Sequence, residues 1–345
     1  MIRQCVRAFG LFAVMVSLLL VGACSGLRRS GGRFEYAKMI MGVEARIILY
    51  APQEQAARTA ARAAFDRMEH LEDVMSDYRP GSELMRTCRE AAVNEPISIS
   101  NDLYRVLARG RAIAEASGGA FDMTVGPLVR LWREARAEGR LPAPDALEAA
   151  RTRVGWRAML LDPERRTLTL TREGMRLDLG GIGKGFAADE ALLVLRRGGL
   201  NRCLVDLGGD IALGEPPPDR RAWRIAIRCG WSGEESGLIK LSCAAVATSG
   251  DTHQFIDVGG EHYSHILDPR TGRGLTSRIA VTVIAPDATT ADGLASAISV
   301  LGEEEGLKLL ERFPGASALI ERWTPQGIRH RRSESFPEPI GPEIR

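Results

Sequence analysis

Apolar positions along the chain recur at two different periods, and the change of period marks the elements. The stretch "EARIILYA" (Glu44 to Ala51) is β-rich, and the next segment sets Ala61, Ala64, Phe65, Met68, Leu71 and Met75 three or four apart. The pattern predicts a strand followed by an amphipathic helix. "SNDLYRVLARGRAIAEASGG" opens on cap-forming Ser100 or Asn101, carries Leu103, Val106, Leu107, Ile113 and Ala114 on one face, and stops at Gly118-Gly119. It reads as a second helix, with Gly110 on the apolar face leaving room for a neighbour. "LEAARTRVGWRAMLLDPERRTLTL" ends in two alternating strands around a turn at Asp162-Pro163. A further helix is expected from about Gly185 to Arg197, closed by Gly198-Gly199.

Beyond it, "CLVDLGGDIALG", "AWRIAIRC", "AAVATSGD", "YSHILDP" and "IAVTVIA" are short strand-like runs separated by glycine, aspartate or proline, and "TTADGLASAISVLGEEEGLKLLERF" returns to helix. Helices and strands mix without strict βαβ alternation, so the expected class is α+β, a single body of mixed sheets and packed helices. The first residues follow neither period. Arg3 and Arg7 precede an apolar run from Ala8 to Ala23 and then Cys24. This is the pattern of a signal peptide, and "VGAC" resembles a lipobox, which makes residues 1–23 an expected lipoprotein leader and Cys24 the lipidated residue. An uncleaved anchor, or an ordinary leader with a coincidental cysteine, uses the same residues. Residues 24–38 are expected to be a tether, with order beginning near Met39, 39–330 the folded body, and 331–345 a polar, proline-rich tail. The body is then expected on the periplasmic face of a bacterial membrane.

Composition narrows the function. The 345 residues are 45% hydrophobic and 26% charged, with a net charge of +2. Basic and acidic residues are interspersed, which gives no electrostatic footprint for nucleic acid. Beyond Cys5 and Cys24, Cys88, Cys203, Cys229 and Cys243 show no CxxC spacing, so a zinc ribbon is excluded, while a disulfide or buried thiols both remain open.

The densest chemistry lies in "LDLGGIGKGFAADEA" (Leu177 to Ala191), with Gly180, Gly181, Gly183 and Gly185 around Lys184. A Walker loop fails here, because Gly185 follows Gly183-Lys184 where a hydroxyl is needed and Asp178 stands where the first glycine should be. A loose GxGxxA dinucleotide pattern fits through Gly183, Gly185 and Ala188, with Asp206 as a ribose partner. Both readings share a glycine-rich turn opening a helix, where amides and Lys184 can meet an anion. Tight packing alone would also use such glycines.

The neighbouring motifs decide. "SGGAFDMTVGPLVRLW", "LDLGGIGKGFAADEA", "CLVDLGGDIALG", "AVATSGD", "YSHILDPRTGRGL" and "VTVIAPDATTADGLASAISVLGEEEGL" occur in this order. Together, over roughly Met39 to Phe313, they resemble the ApbE family of flavin transferases. The resemblance implies a T-fold-like α+β body that uses FAD and Mg²⁺ to attach FMN by a phosphoester to a threonine or serine of a partner protein, releasing AMP. It implies metal contacts from the Gly181 carbonyl, the Asp292 carboxylate, the backbone at Ala295 and the hydroxyl of Ser296, which stands where threonine is usual. FAD contacts carry over to Met41, Tyr78, Ala120, Phe121, Asp122, Asp178, Lys184, Thr248 and Ile266. Acceptors with a Ser/Thr-Gly-Ala-Ser/Thr-type motif, such as subunits of membrane redox complexes, are implied too.

The residue types suit that chemistry. Displacement at phosphorus depends on positioning and charge neutralisation, and a hard cation with oxygen ligands supplies the second. Tyr78 and Phe121 offer flat faces to a flavin or adenine ring. Asp292 has a rival reading as a helix N-cap, together with Thr289 and Thr290. His265 is the candidate general base, since imidazole titrates near neutrality; His262 would point to the opposite face of an extended strand, which argues against a paired metal site. Asp206, Asp210 and Asp251 are rivals for the base or for orientation. Val43, Met123 and His253 depart from the family pattern, and "IRCGW" lacks the usual "DP". Two other activities use the same motifs: FAD hydrolysis to FMN and AMP, and FAD binding without turnover.

Overall fold

The computed structural model describes residues 31–228, 235–250 and 255–340. Eight strands form the main sheet: β1 (Gly32–Ile40), β2 (Val43–Ala51), β3 (Cys203–Leu207), β4 (Asp210–Leu213), β5 (Ala245–Gly250), β6 (Ile279–Ala285), β7 (Ser317–Thr324) and β8 (Gly327–Arg332). They lie side by side in chain order and every pair is antiparallel. The sheet is therefore a meander, and every other described element except the segment after β8 is inserted between neighbouring strands.

The connection from β2 to β3 carries six helices: α1 (Glu54–Met75), α2 (Glu83–Glu90), α3 (Asn101–Ala116), α4 (Gly126–Glu138), α5 (Pro144–Arg151) and α6 (Gly183–Arg197). It also holds a small sheet of Pro96–Ser98, Thr167–Leu170 and Met159–Asp162, the last two forming the expected strand pair. A seventh helix, α7 (Ala288–Leu310), joins β6 to β7 and kinks at Gly302, where φ is 78°. Between β5 and β6 lie two ribbons, Phe255–Val258 with Glu261–Ser264 and Leu267–Asp268 with Arg273–Gly274.

Both faces of the sheet are covered. Ile47, Leu49, Val205, Ala247, Val281 and Val283 pack under the helices, while Ile48, Leu204, Val246, Ile284 and Leu319 meet Trp223, Ile225 and Ile239 of a separate ribbon. Double coverage explains why "IILYA" is a continuous apolar run and "IAVTVIA" is apolar on both faces but for Thr282. Helix α3 starts at Ser100, whose hydroxyl accepts the Leu103 amide at 3.2 Å. The room at Gly110 is filled by Met123: a Cβ there would stand 2.1 Å from its sulfur.

Two expectations at the ends are corrected. Residues 32–38 of the expected tether are strand, because the whole of β1 pairs with β2, from Gly32 opposite Ala51 to Ile40 opposite Val43. The expected tail is docked as far as Ile340: Phe336 is 4% exposed in the second core, and Ile340 exchanges both backbone hydrogen bonds with Leu238. Burying one such phenylalanine is worth about 2–3 kcal/mol, enough to hold a short polar segment. Among the described residues Cys88, Cys203 and Cys243 are free thiols, and no helix is long and apolar enough to cross a membrane. Cys24, Cys229, Asp251 and His253 lie outside the described residues.

Candidate functional site

The glycine turn runs directly into α6. Its N-cap, Ile182, offers no side-chain cap, so the first amides of the helix need an acceptor from elsewhere. Asp292 of α7 supplies one, taking the Gly185 amide at 3.1 Å. The approach requires glycine, since a Cβ at position 185 would stand 2.2 Å from the Ala288 carbonyl oxygen and 2.9 Å from Asp292 Cβ. Helix α7 is capped by Asp287, which accepts the Thr290 amide at 2.8 Å, and by Asp189 of α6, which accepts the amides of Ala288 and Thr289, both at 2.8 Å. The capping role weighed for Asp292 on its own helix thus belongs to Asp287. Asp292, 5% exposed, reaches across to α6 instead.

Gly181 stands against the same helix. A Cβ there would be 2.8 Å from Ser296 Oγ and 3.3 Å from the Phe121 ring. Asp292 and Ser296, four residues apart, share one face of α7. The structure therefore brings Gly181, Asp292, Ser296, Phe121 and Lys184 to one junction of two helix N-termini. Ala295 is buried there too, but its carbonyl already accepts the Ser299 hydroxyl at 2.8 Å.

Lys184 donates to Asp210, which is 1% exposed at the start of β4. Burial raises the Asp210 pKa, the neighbouring Asp292 carboxylate raises it further, and Lys184 opposes both. Asp292 is raised by burial, against the pull of Lys184 and the Gly185 amide. Burial disfavours charge on Lys184, but Asp210 and Asp292 outweigh it and hold the ammonium form above its usual range. Asp206 is answered by Arg46 at 3.1 Å and the Gly209 amide at 2.9 Å. Two buried carboxylates thus face one ammonium, and the charge that Lys184 leaves unmatched is met by a proton or by a further cation. Among the described residues no group of three or more His, Cys, Asp or Glu side chains forms a metal cluster. A cation here would rely on a carbonyl and a hydroxyl beside the carboxylate, a donor set that suits a hard ion.

The remaining expected contacts spread outward. Asp178 accepts the Gly180 amide at 2.8 Å and lies 3.5 Å from Arg133 of α4; burial first, then Asp77, raises its pKa. Tyr78 is 72% exposed, with the Arg133 guanidinium 4.2 Å from its ring centre. Asp122 is turned inward: one oxygen takes the Thr124 amide and hydroxyl, the other the Trp156 amide at 2.8 Å. Ala120 is buried beside it. Met41 occupies the two-residue β1–β2 turn with φ at 54°, a conformation that costs a bulky residue about 1–2 kcal/mol. Val43 behind it fills the space over Gly208. Thr248 is set apart: alternation along β5 puts it on the face of Val246, opposite the Ala247 face that lies under the helices, and its hydroxyl pairs with Thr282 at 3.0 Å.

His265, half-buried, follows the Glu261–Ser264 strand. Its loop is fixed by the Ile266 amide on Ser264 Oγ at 3.0 Å and the Leu275 amide on the Ile266 carbonyl at 2.9 Å. Beneath lies a third apolar cluster of Leu128, Trp132, Ala150, Val154, Ile256 and Leu267. Trp132 donates to the Gly272 carbonyl at 2.8 Å. Helix α4 therefore serves both regions, through Trp132 to the His265 loop and through Arg133 to Asp178. Sequence reading missed Arg133, Asp77 and Asp189. Only Asp189 had a signal, four residues after Gly185 and so on the same face of α6.

The glycine turn, the paired helices and the α+β meander define the class. The ApbE family model matches residues 41–320, and the chain belongs to the ApbE family of enzymes. It is 35% identical over 325 residues to a FAD:protein FMN transferase of Treponema pallidum, covering 89% of each chain, and 34% identical over 278 residues to one of Haemophilus influenzae, covering 77% of this chain and 80% of the relative. The solved flavin transferase ApbE of Vibrio cholerae superposes with a TM-score of 0.79 at 32% identity, over 88% of this chain and 98% of that one. An ApbE protein of Thermotoga maritima gives the same TM-score and identity.

Proposed function

We propose that the chain is a Mg²⁺-dependent FAD:protein FMN transferase that joins FMN by a phosphoester to a Thr or Ser hydroxyl of a partner protein and releases AMP. The observation that carries this reading is the convergence of Gly181, Asp292, Ser296 and Lys184 at two helix N-termini, where a pyrophosphate and a hard cation are both favoured. Magnesium bound there would be held by the Gly181 carbonyl, the Asp292 carboxylate and the Ser296 hydroxyl, and would neutralise charge on the phosphates.

The chain's own residues do the rest. Lys184, held ready by Asp210, gives a point charge to the pyrophosphate. Tyr78, backed by Arg133, and Phe121 give flat faces to the ring systems of FAD. His265 takes the proton of the acceptor hydroxyl as its oxygen bonds to the FMN phosphorus and the bond to the AMP oxygen breaks. Asp206 and Asp210, the rival bases, are committed to Arg46 and Lys184. The acceptor is a protein with a Ser/Thr-Gly-Ala-Ser/Thr-type motif, a subunit of a membrane redox complex. The leader pattern supports a lipid anchor at Cys24 that keeps the body near such acceptors on the periplasmic side.

The test is mass spectrometry of a threonine-bearing acceptor peptide after incubation with the protein, FAD and Mg²⁺. An added FMN phosphoester with released AMP is the expected result. Free FMN and AMP beside an unmodified peptide would favour the hydrolase or a wrong acceptor, and intact FAD would leave the binding protein in front.

A further inference from the structure

The two helices that meet at the site cap each other. Asp292 of α7 takes the Gly185 amide of α6, and Asp189 of α6 takes the Ala288 and Thr289 amides of α7, with the Thr289 hydroxyl also donating to Asp189. On α6 the capped amide and the capping carboxylate are residues 185 and 189; on α7 they are 288 and 292. Each pair is one helical turn apart, so the four positions close a ring.

We propose that Asp189 is a positioning residue for the metal end of the site, fixing the first turn of α7 on α6 and thereby setting where the Asp292 carboxylate and the Ser296 hydroxyl stand relative to Gly181. The proposal rests on the metal reading above. Helix α7 already has its own cap in Asp287, which takes the Thr290 amide. The amides of Ala288 and Thr289 belong to the first turn, where water is an ordinary partner, so a second carboxylate serves something other than helix termination. What it joins is a contact without side-chain cushioning, because the bare Cα of Gly185 faces the Ala288 carbonyl. A shift of α7 along that contact carries Asp292 and Ser296 with it as a rigid turn. Asp189 itself is spent on three donors of α7 and acts through the helix, not on the substrate.

The test compares the whole protein with Asp189→Asn, Thr289→Val, Asp292→Asn and the Asp189→Asn/Asp292→Asn double variant. Mg²⁺ is titrated into each FAD-loaded protein by calorimetry, and FAD affinity without metal is read from flavin fluorescence. Asp189→Asn is expected to weaken Mg²⁺ binding about 10-fold, the scale seen when groups that orient metal ligands are lost, with metal-free FAD affinity unchanged. Thr289→Val, which removes one of the three bonds and keeps the carboxylate, shifts Mg²⁺ affinity the same way by less. The double variant loses less Mg²⁺ affinity than the sum of the two single losses, since both act on the same end of the site. Wild-type Mg²⁺ affinity in Asp189→Asn, or a loss that adds in full to that of Asp292→Asn, overturns the proposal. If Asp189→Asn does not fold, Thr289→Val decides alone, and an unchanged affinity there is fatal. Wild-type protein that takes up no Mg²⁺ overturns the metal reading itself, and this proposal with it.

Discussion

The glycine turn with α6 and α7 and the loop that carries His265 stand on different foundations. The first is cut into the main core, with Gly183, Gly185, Asp292 and Ala295 buried and the two helices held by backbone hydrogen bonds to carboxylates. The second is a short ribbon on a satellite cluster of six buried residues, tied to α4 through the Trp132 indole, which donates to Gly272. The difference teaches that the glycine-turn end is preorganised by the main fold, while the His265 loop rests on a small local cluster; in the proposed reading the first meets charge and the second meets the acceptor. Electrostatic catalysis needs the former, since groups aimed at developing charge are effective only if they do not have to move. A site that admits a second macromolecule tolerates the latter.

Substitutions should divide along that line. The largest effect is expected for Asp292→Ala, with transfer falling on the order of 1,000-fold while FAD binding persists, measured as AMP release against flavin fluorescence. Equal loss of both would erase the distinction between holding FAD and turning it over. Gly185→Ala comes next. Its methyl group has no space before the Ala288 carbonyl, so helix separation should cost about 3 kcal/mol in denaturant unfolding and abolish Mg²⁺ binding. On the other side, His265→Gln should slow transfer by about 100-fold, with the unfolding midpoint unchanged. A large loss of stability there would show that the loop belongs to the main core after all.

The smallest effect concerns acid. Arg67 binds both Asp102 of α3 and Glu190 of α6, and Arg105 binds Glu190 at 2.7 Å. The Arg67 hydrogen bonds lower the Asp102 pKa against its burial; Glu190 is raised by burial but lowered more by Arg105 and Arg67. Depressed carboxylate pKa values mean that the unfolded chain binds more protons as pH falls. The stabilisation is then complete above the ordinary carboxylate range and is lost as pH drops through the lowered values, below about pH 4. Glu190→Gln should cost about 1–2 kcal/mol at pH 7 and less at pH 3, read from urea midpoints at the two pH values. A constant difference would mean packing, not charge, links α6 to α1 and α3.

Much of this architecture was legible because periodicity survives without partners. Helices α1, α3, α6 and α7 and strands β2 to β6 follow from spacing, caps and glycine stops. Strand β1 was not legible: as an edge strand it is mostly exposed, with Met39 at 67%, so its composition resembles a tether until β2 is laid beside it. The ring of caps was hidden for a related reason. Asp189 and Ala288 are 99 residues apart, and nothing local to either announces the other. Arg133 looks like any charged position on α4 until Asp77 and Asp178 are brought to it. Thr248 shows the converse, since its motif is local while its face depends on register across β6.

The chain-order pairing of the sheet also governs how the protein can come together. Three of its ladders, β1–β2, β3–β4 and β7–β8, close over two residues each, at 41–42, 208–209 and 325–326. The β2–β3 ladder closes over residues 52–202, and holding the ends of a loop that long costs about 4–5 kcal/mol of chain entropy before any contact repays it. Residues 178–192, with the whole glycine turn, lie inside that loop, and Asp292 lies outside it. Hairpins form in microseconds, whereas the two halves of the site are joined by contacts between residues as far apart in the chain as Asp189 and Ala288, and contacts of that span close later.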